Sequence, residues 1–221
     1  RDIQRRFPDV VFLAEAFTDP AMMHALGEIG FSQSYTYFTW RTSKWELTEY
    51  GEELAHGESA AWFRPNLWPN TPDILSGPLR HGSPGQFAAR AVLAATMAPS
   101  WGMYSGYELC ENEPASPDNE EYLHSEKYEL KVRDWTLTER PGSLWALITR
   151  LNEVRRAHPA MWRMSSLRFH HVDDDRLIAY SHRRDDDVVM VVVNLAPDEL
   201  VESTLHVDPA SLGLPADGPY G

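Results

Sequence analysis

An α/β fold built on parallel strands, followed by a small antiparallel β domain, is what the 221-residue sequence predicts. Three observations carry it. The segment 10–14, Val-Val-Phe-Leu-Ala, is a continuous apolar run, too short for a helix and β-branched at its start, which is the pattern of a strand buried on both faces. An acidic residue and a helix follow it, and this order of strand then helix recurs along the chain. Past Pro159 the pattern changes to strands without helices.

Each element has a local reason. Thr18, Asp19 and Pro20 supply a cap and a first-turn proline, and Met22, Met23, Leu26 and Ile29 form the apolar stripe of the first clear helix. Residues 31–38 read as a second strand, 45–54 as a polar helix, and 61–63 as the lead into the turn-rich stretch 66–73. A helix over 86–97 keeps Phe87, Arg90, Ala91 and Ala94 at helical spacing, and its alanines predict close packing against a sheet. A last strand is expected over 101–107 and an exposed loop over 112–119. Pro141, Gly142 and Ser143 then precede an amphipathic helix bearing Leu144, Leu147, Ile148, Leu151 and Val154. Antiparallel strands are expected at 167–171, 176–182, 188–194 and 201–207, which divides the chain into domains 1–163 and 164–221.

With 43% hydrophobic and 11% aromatic residues, the chain can bury a sizeable core. Its formal net charge of −13, with no Lys/Arg-rich run, argues against nucleic acid and anionic membrane partners. Cys110 is the single cysteine, which excludes an intramolecular disulfide framework and fits a reducing, cytoplasmic setting. No stretch approaches the roughly 20 apolar residues that cross a bilayer. The chain opens without Met, inside what reads as a helix end running into a strand, so residues are expected before Arg1.

Two carboxylates stand out. Glu15 directly follows the first buried strand, where barrel enzymes keep catalytic groups and where burial would make it a useful acid; a helix cap or an ion-paired glutamate is the structural alternative. Asp73 closes Asn70-Thr71-Pro72-Asp73, where it can be an Asx turn or the second acid above the same barrel, and glycosyl transfer needs two such acids. Trp40, Trp62, Trp68, Trp101, Tyr104 and Tyr107 fall near expected strand ends, where rings stack on sugars or simply pack. Lys127, in Ser125-Glu126-Lys127-Tyr128, reads as a ligand contact or a solvated charge. His158, His170 and His171 lack metal-ligand spacing with a carboxylate or cysteine, and Gly82 and Gly85 form no phosphate loop, so no metal and no cofactor is assigned.

At Phe12-Leu13-Ala14-Glu15-Ala16-Phe17-Thr18, Asn70-Thr71-Pro72-Asp73 and Glu126-Lys127-Tyr128, in this order and spacing, the chain resembles the α-1,4-glucan:maltose-1-phosphate maltosyltransferases of the α-amylase superfamily. The resemblance implies the second half of a (β/α)8 barrel followed by part of a C-terminal β-sandwich. It makes Glu15 the proton donor after the fifth barrel strand and Asp73 the transition-state stabiliser after the seventh, with Lys127 and Tyr128 on the maltosyl unit. It also implies α-maltose 1-phosphate and an α-1,4-glucan acceptor as substrates, and a homodimer for the full-length form. Ordinary amylases carry Asn-His-Asp where this chain has Asn-Thr-Pro-Asp, which favours the transferase branch over the α-glucan hydrolases and other transglycosidases of the superfamily. The family's nucleophilic aspartate lies upstream of Glu15, so the segment is expected to be a fragment and inactive alone; a non-catalytic glucan-binding protein is the competing class.

Overall fold

The computed structural model describes residues 2–215. After a short helix α1 (Asp2–Arg6), strands and helices alternate: β1 (Leu13–Ala14), α2 (Pro20–Ile29), β2 (Gln33–Tyr35), α3 (Lys44–His56), β3 (Pro65–Leu67), α4 (Pro84–Met97) and β4 (Ser100–Trp101). The four strands form one parallel sheet in chain order, with Ala14 opposite Ser34, Tyr35 opposite Asn66 and Leu67 opposite Trp101. A long loop leads to α5 (Trp145–Ala157). An antiparallel sheet of β5 (Leu167–Val172), β6 (Leu177–Arg184), β7 (Asp187–Asn194) and β8 (Leu205–His206) follows, ordered β7-β6-β5-β8.

Local chemistry sets the helix starts. The Asp19 carboxylate accepts from Met22 N at 3.1 Å with Pro20 behind it, and Gly30 closes α2 at φ 110°, a conformation glycine adopts without strain. Ser43 and Glu46 form a reciprocal capping box on α3; the backbone N–H groups of Ser43 and Thr42 and the Ser43 hydroxyl hold the Glu46 carboxyl below its usual range. Ser83 caps α4, whose Phe87, Ala91, Leu93, Ala94 and Ala95 are fully buried. Helix α4 also joins the two sheets: the Thr96 hydroxyl meets the Tyr180 hydroxyl at 2.7 Å, and Leu93 and Ala94 share a core with Leu167, Ile178 and Tyr180. Among the described residues no helix is long and apolar enough to cross a membrane.

Several strands differ from expectation. Of the run 10–14 only Leu13 and Ala14 pair, and Val11 (64% exposed) and Leu13 (54%) face outward because β1 is a sheet edge with a neighbour on one side only. Helix α2 buries Met23 and Gly27 rather than the full stripe, leaving Met22 and Ile29 exposed; the Trp62 ring lies 3.2 Å from where a Gly27 Cβ would stand and selects that face. The strand expected over 101–107 ends at Trp101, since Gly106 at φ 96° turns the backbone into a short 3-10 turn at Tyr107–Leu109. The strand expected over 201–207 reduces to Leu205–His206.

Candidate active site

Parallel strands deliver their carboxyl ends to one rim, and the chemistry-bearing residues gather there. Glu15 leaves the end of β1 and is exposed. It is not a helix cap, because Asp19 has that role, and it makes no hydrogen bond or ion pair with the described residues. The burial expected of it is absent: among the described residues β1 is an edge strand, and Glu15 at its end is exposed. The Glu15 charge is felt by Tyr35 at the end of β2, whose phenol is pushed up by burial first and by Glu15 next.

Asp73 projects from the turn after β3. This is not an Asx turn: Thr71 and Ile74 bridge through their backbones, and the Thr71 hydroxyl accepts the Asp73 N–H at 3.3 Å, leaving the Asp73 carboxylate free to reach outward. Beneath it Asn70 is fully buried, donating to the Tyr122 hydroxyl at 2.6 Å and accepting from Tyr104 N at 3.0 Å, which pins the turn to the loops after β4. The half-exposed Asp73 carboxylate meets Lys127 Nζ at 3.3 Å. Lys127 also donates to Glu121 at 2.9 Å, and the Tyr128 hydroxyl donates to the same carboxylate at 3.3 Å. The lysine is therefore held above its usual range, by Glu121 first and Asp73 next, and Lys127 holds the Glu121 carboxyl low. Asp73, Lys127 and Tyr128 thus converge; Glu15 stands on the same rim, its strand two strand spacings, or about 10 Å, from β3.

Aromatic rings fill the space between. Tyr35 lies 4.9 Å from Trp68, Phe17 packs edge-on to Trp40 at 5.2 Å, and Trp40 Nε1 donates to Glu120 at 3.0 Å. Trp68 Nε1 is buried with no hydrogen-bond partner among the described residues, and a Cβ on Gly102 would stand 2.4 Å from its indole. The other expected aromatics serve packing: Tyr107 is fully buried and donates to Phe87 O, Trp101 donates to Asn152, and Trp62 packs on His24 behind α2. Tyr104 donates to Glu126, and Arg133 ties both to Glu111.

His158 pairs with Asp187 at 2.7 Å and His170 with Ser181 at 2.8 Å, so both are packed structural groups. Sequence reasoning missed Glu121, Tyr35, Asn70 and Tyr122; only the position of Asn70 inside the Asn-Thr-Pro-Asp motif hinted at a role. A cavity of about 530 Å³ opens at the opposite rim, beside Gln33, Pro65 and Ser100, the first residues of β2 to β4. Its lining contains no carboxylate, so the acid-bearing rim is the better site for acid–base chemistry.

Residues 169–221 match the family model described as "GLGE, C-terminal". Over 214 residues the chain is 61% identical to α-1,4-glucan:maltose-1-phosphate maltosyltransferase 2 of Streptomyces coelicolor, covering 96% of this chain and 32% of that protein. The maltosyltransferase of the same name from Mycolicibacterium smegmatis is 54% identical over 216 residues, 96% of this chain and 31% of the relative. That of Corynebacterium glutamicum is 50% identical over 99% of this chain and 32% of its own length. The chain thus spans about a third of the length of these curated relatives. In fold it matches the crystal structure of an α-amylase from H. orenii with TM-score 0.67 at 14% identity, over 88% of this chain and 45% of that one. A maltogenic α-amylase from Thermotoga neapolitana matches with TM-score 0.58 at 15% identity, over 88% and 44%.

Proposed function

Because the chain belongs by sequence to the α-1,4-glucan:maltose-1-phosphate maltosyltransferases, we propose that it supplies the acid–base and sugar-holding side of maltosyl transfer from α-maltose 1-phosphate to an α-1,4-glucan. One observation carries the reading. Asp73 meets Lys127 directly, and Glu121 ties Lys127 to Tyr128, on the rim that also bears Glu15, which has no hydrogen-bond or ion-pair partner among the described residues.

The reaction is a double displacement with retention. A carboxylate contributed by residues outside this chain attacks the anomeric carbon while Glu15, as acid, assists departure of phosphate. Glu15 then acts as base on the 4-hydroxyl of the glucan's non-reducing end, and that oxygen displaces the enzyme carboxylate. Such retaining pairs stand about 5–5.5 Å apart, so the nucleophile belongs on a strand beside β1, where the sheet has an open edge. Phe7, Val11 and Leu13 expose apolar surface along that edge, as a sheet does where a further strand and helix cover it. The segment alone is therefore a part of the catalytic unit and inactive.

Asp73 gains catalytic value by bonding sugar hydroxyls more strongly as positive charge develops on the ring. The Lys127 ammonium fixes the carboxylate's orientation, and Tyr128 offers a ring and a hydroxyl to the second sugar. Rings at Trp40, Trp68 and Tyr35 favour a sugar acceptor over water. In the full gene product, supplied with α-maltose 1-phosphate and glucan, Asp73→Asn and Glu15→Gln should each cost at least ~10²-fold in phosphate release. Near-normal release by either variant, or release balanced by new reducing ends rather than by glucan growth, contradicts the proposal.

A further inference from the structure

On the face of the antiparallel sheet, away from the acid-bearing rim, three metal-ligating side chains converge. His171 is the penultimate residue of β5 and pairs across the sheet with His206 of β8. Direct cross-strand partners share a face, and the period-two alternation of an extended chain puts Asp173 on the face of His171. The Asp173 N–H donates to Thr204 O at 3.2 Å, which continues the ladder and holds the carboxylate in place. One carboxylate oxygen, Asp173 Oδ1, then stands 3.2 Å from His171 Nε2 and 2.8 Å from His206 Nε2. All three donor atoms lie within 4.8 Å of one another. The sequence objection to His171 as a ligand fails in three dimensions, because the second histidine comes from another strand.

We propose that His171, Asp173 and His206 form a divalent transition-metal site, with Zn²⁺ as its fitting occupant, which staples β8 to β5. Zinc bonds of about 2.0–2.2 Å to imidazole and carboxylate put tetrahedral ligand atoms about 3.3–3.5 Å apart, so the observed separations need only small side-chain rotations. Two imidazoles and one carboxylate suit zinc or its transition-metal neighbours, whereas Ca²⁺ and Mg²⁺ prefer all-oxygen sets. Without metal, His206 Nε2 hydrogen-bonds Asp173 Oδ1; metal binding takes the Nε2 lone pairs of both imidazoles, with each ring proton then on Nδ1. The side chains are 70%, 54% and 54% exposed, so water completes the fourth position. Neighbouring cations are otherwise engaged: Arg176 holds Asp174 at 2.6 Å, and Lys44 donates to the carbonyls of Val172 and Asp174. Lys44 also reaches Asp175 at 3.4 Å, so the negative potential at the site comes from Asp173 and the neighbouring Glu202.

Strand β8 is what needs the staple. It has two residues, pairs with β5 alone, and ends a connection from β7 without regular structure. A metal bond from His171 to His206 closes that whole connection.

The test is Zn²⁺ titration calorimetry on the full gene product after chelation, comparing the natural protein with His171→Ala, His206→Ala and Asp173→Asn. The expected result is one equivalent of Zn²⁺ bound by the natural protein and lost in each variant, with a weakening beyond the roughly 10–100-fold that outer-shell changes cause. Equal Zn²⁺ binding by natural protein and variants overturns the site, and so does Ca²⁺ binding that matches Zn²⁺. Because the three side chains are exposed, unchanged metal-free melting temperatures are expected and show that the variants fold. Amide exchange gives the second readout: Zn²⁺ should slow exchange at residues 204–206 in the natural protein and not in His206→Ala, and unchanged exchange overturns the staple.

Discussion

Lowering the pH from 8 to 5 should destabilise this fold by about 2 kcal/mol through one side chain, His182. The imidazole is fully buried between the antiparallel sheet and α4. Its Nε2 lies 2.7 Å from Thr96 O, which can only accept, so Nε2 carries a proton, and Nδ1 lies 2.7 Å from the Ser166 hydroxyl. Burial, aided by Arg155, pulls its pKa from 6.5 down to about 4. The unfolded chain takes up a proton as the pH falls through 6.5, while the folded protein resists until about 4. The stability present above pH 6.5 is therefore lost across that window, by about 1.4 kcal/mol for each pKa unit of separation and roughly 3 kcal/mol in all. At pH 5 the loss reaches about 2 kcal/mol. His170, also lowered by burial, adds in the same direction, whereas the lowered carboxylates act only at more acid pH. The assay is a pair of readouts on the full gene product: an NMR titration of the His182 ring, and melting temperatures from pH 8 to 5 for the natural protein and His182→Gln, which keeps a donor and an acceptor but takes up no proton. A His182 midpoint between pH 6 and 7, or an identical pH dependence in His182→Gln, refutes the reasoning.

Two further substitutions probe how the rim is built. Gly102→Ala sets a Cβ 2.4 Å from the Trp68 indole and should cost about 1–3 kcal/mol as the ring is displaced, with a matching fall in phosphate release; a melting temperature and rate equal to the natural protein's would show that Trp68 is not held there. Arg90 donates to Phe38 O and Arg41 O at 2.7 Å each from a buried position over the Phe38 ring, which fixes the turn carrying Trp40. Burial lowers its pKa to about 10, so it remains charged at neutral pH. Arg90→Met should cost about 2–4 kcal/mol by chemical denaturation, since it orphans two carbonyls while relieving a buried charge, and Arg90→Lys should not restore both bonds.

The helices were legible because their signals are local. Asp19-Pro20, Ser43 with Glu46, and Ser83-Pro84 each write a helix start within a few residues. Parallel strands carry no such local mark. The extent of β1 and β4 depends on what pairs beside them, and the apolar run 10–14 could not show that its sheet has an open edge. The same gap explains Glu15, whose exposure follows from the edge position of β1 and not from the residues around it in sequence. Asp73, Lys127 and Tyr128 were visible as motifs, yet the Glu121 carboxylate that gathers two of them was not, because its acidic loop reads like any solvated charge run. The pairing of His171 with His206 likewise needs the register of two strands more than thirty residues apart.

The central claim is that the rim holding Glu15 and Asp73 is a single sugar-binding surface. A crystal structure of the full gene product carrying Glu15→Gln, with α-maltose 1-phosphate bound, tests it most directly. The account predicts the Asp73 carboxylate and the Lys127 ammonium on sugar hydroxyls, with the residue 15 side chain within hydrogen-bond reach of the oxygen that joins sugar to phosphate. A donor seated in the cavity at the opposite rim, or one that touches Asp73 while residue 15 points elsewhere, would contradict it.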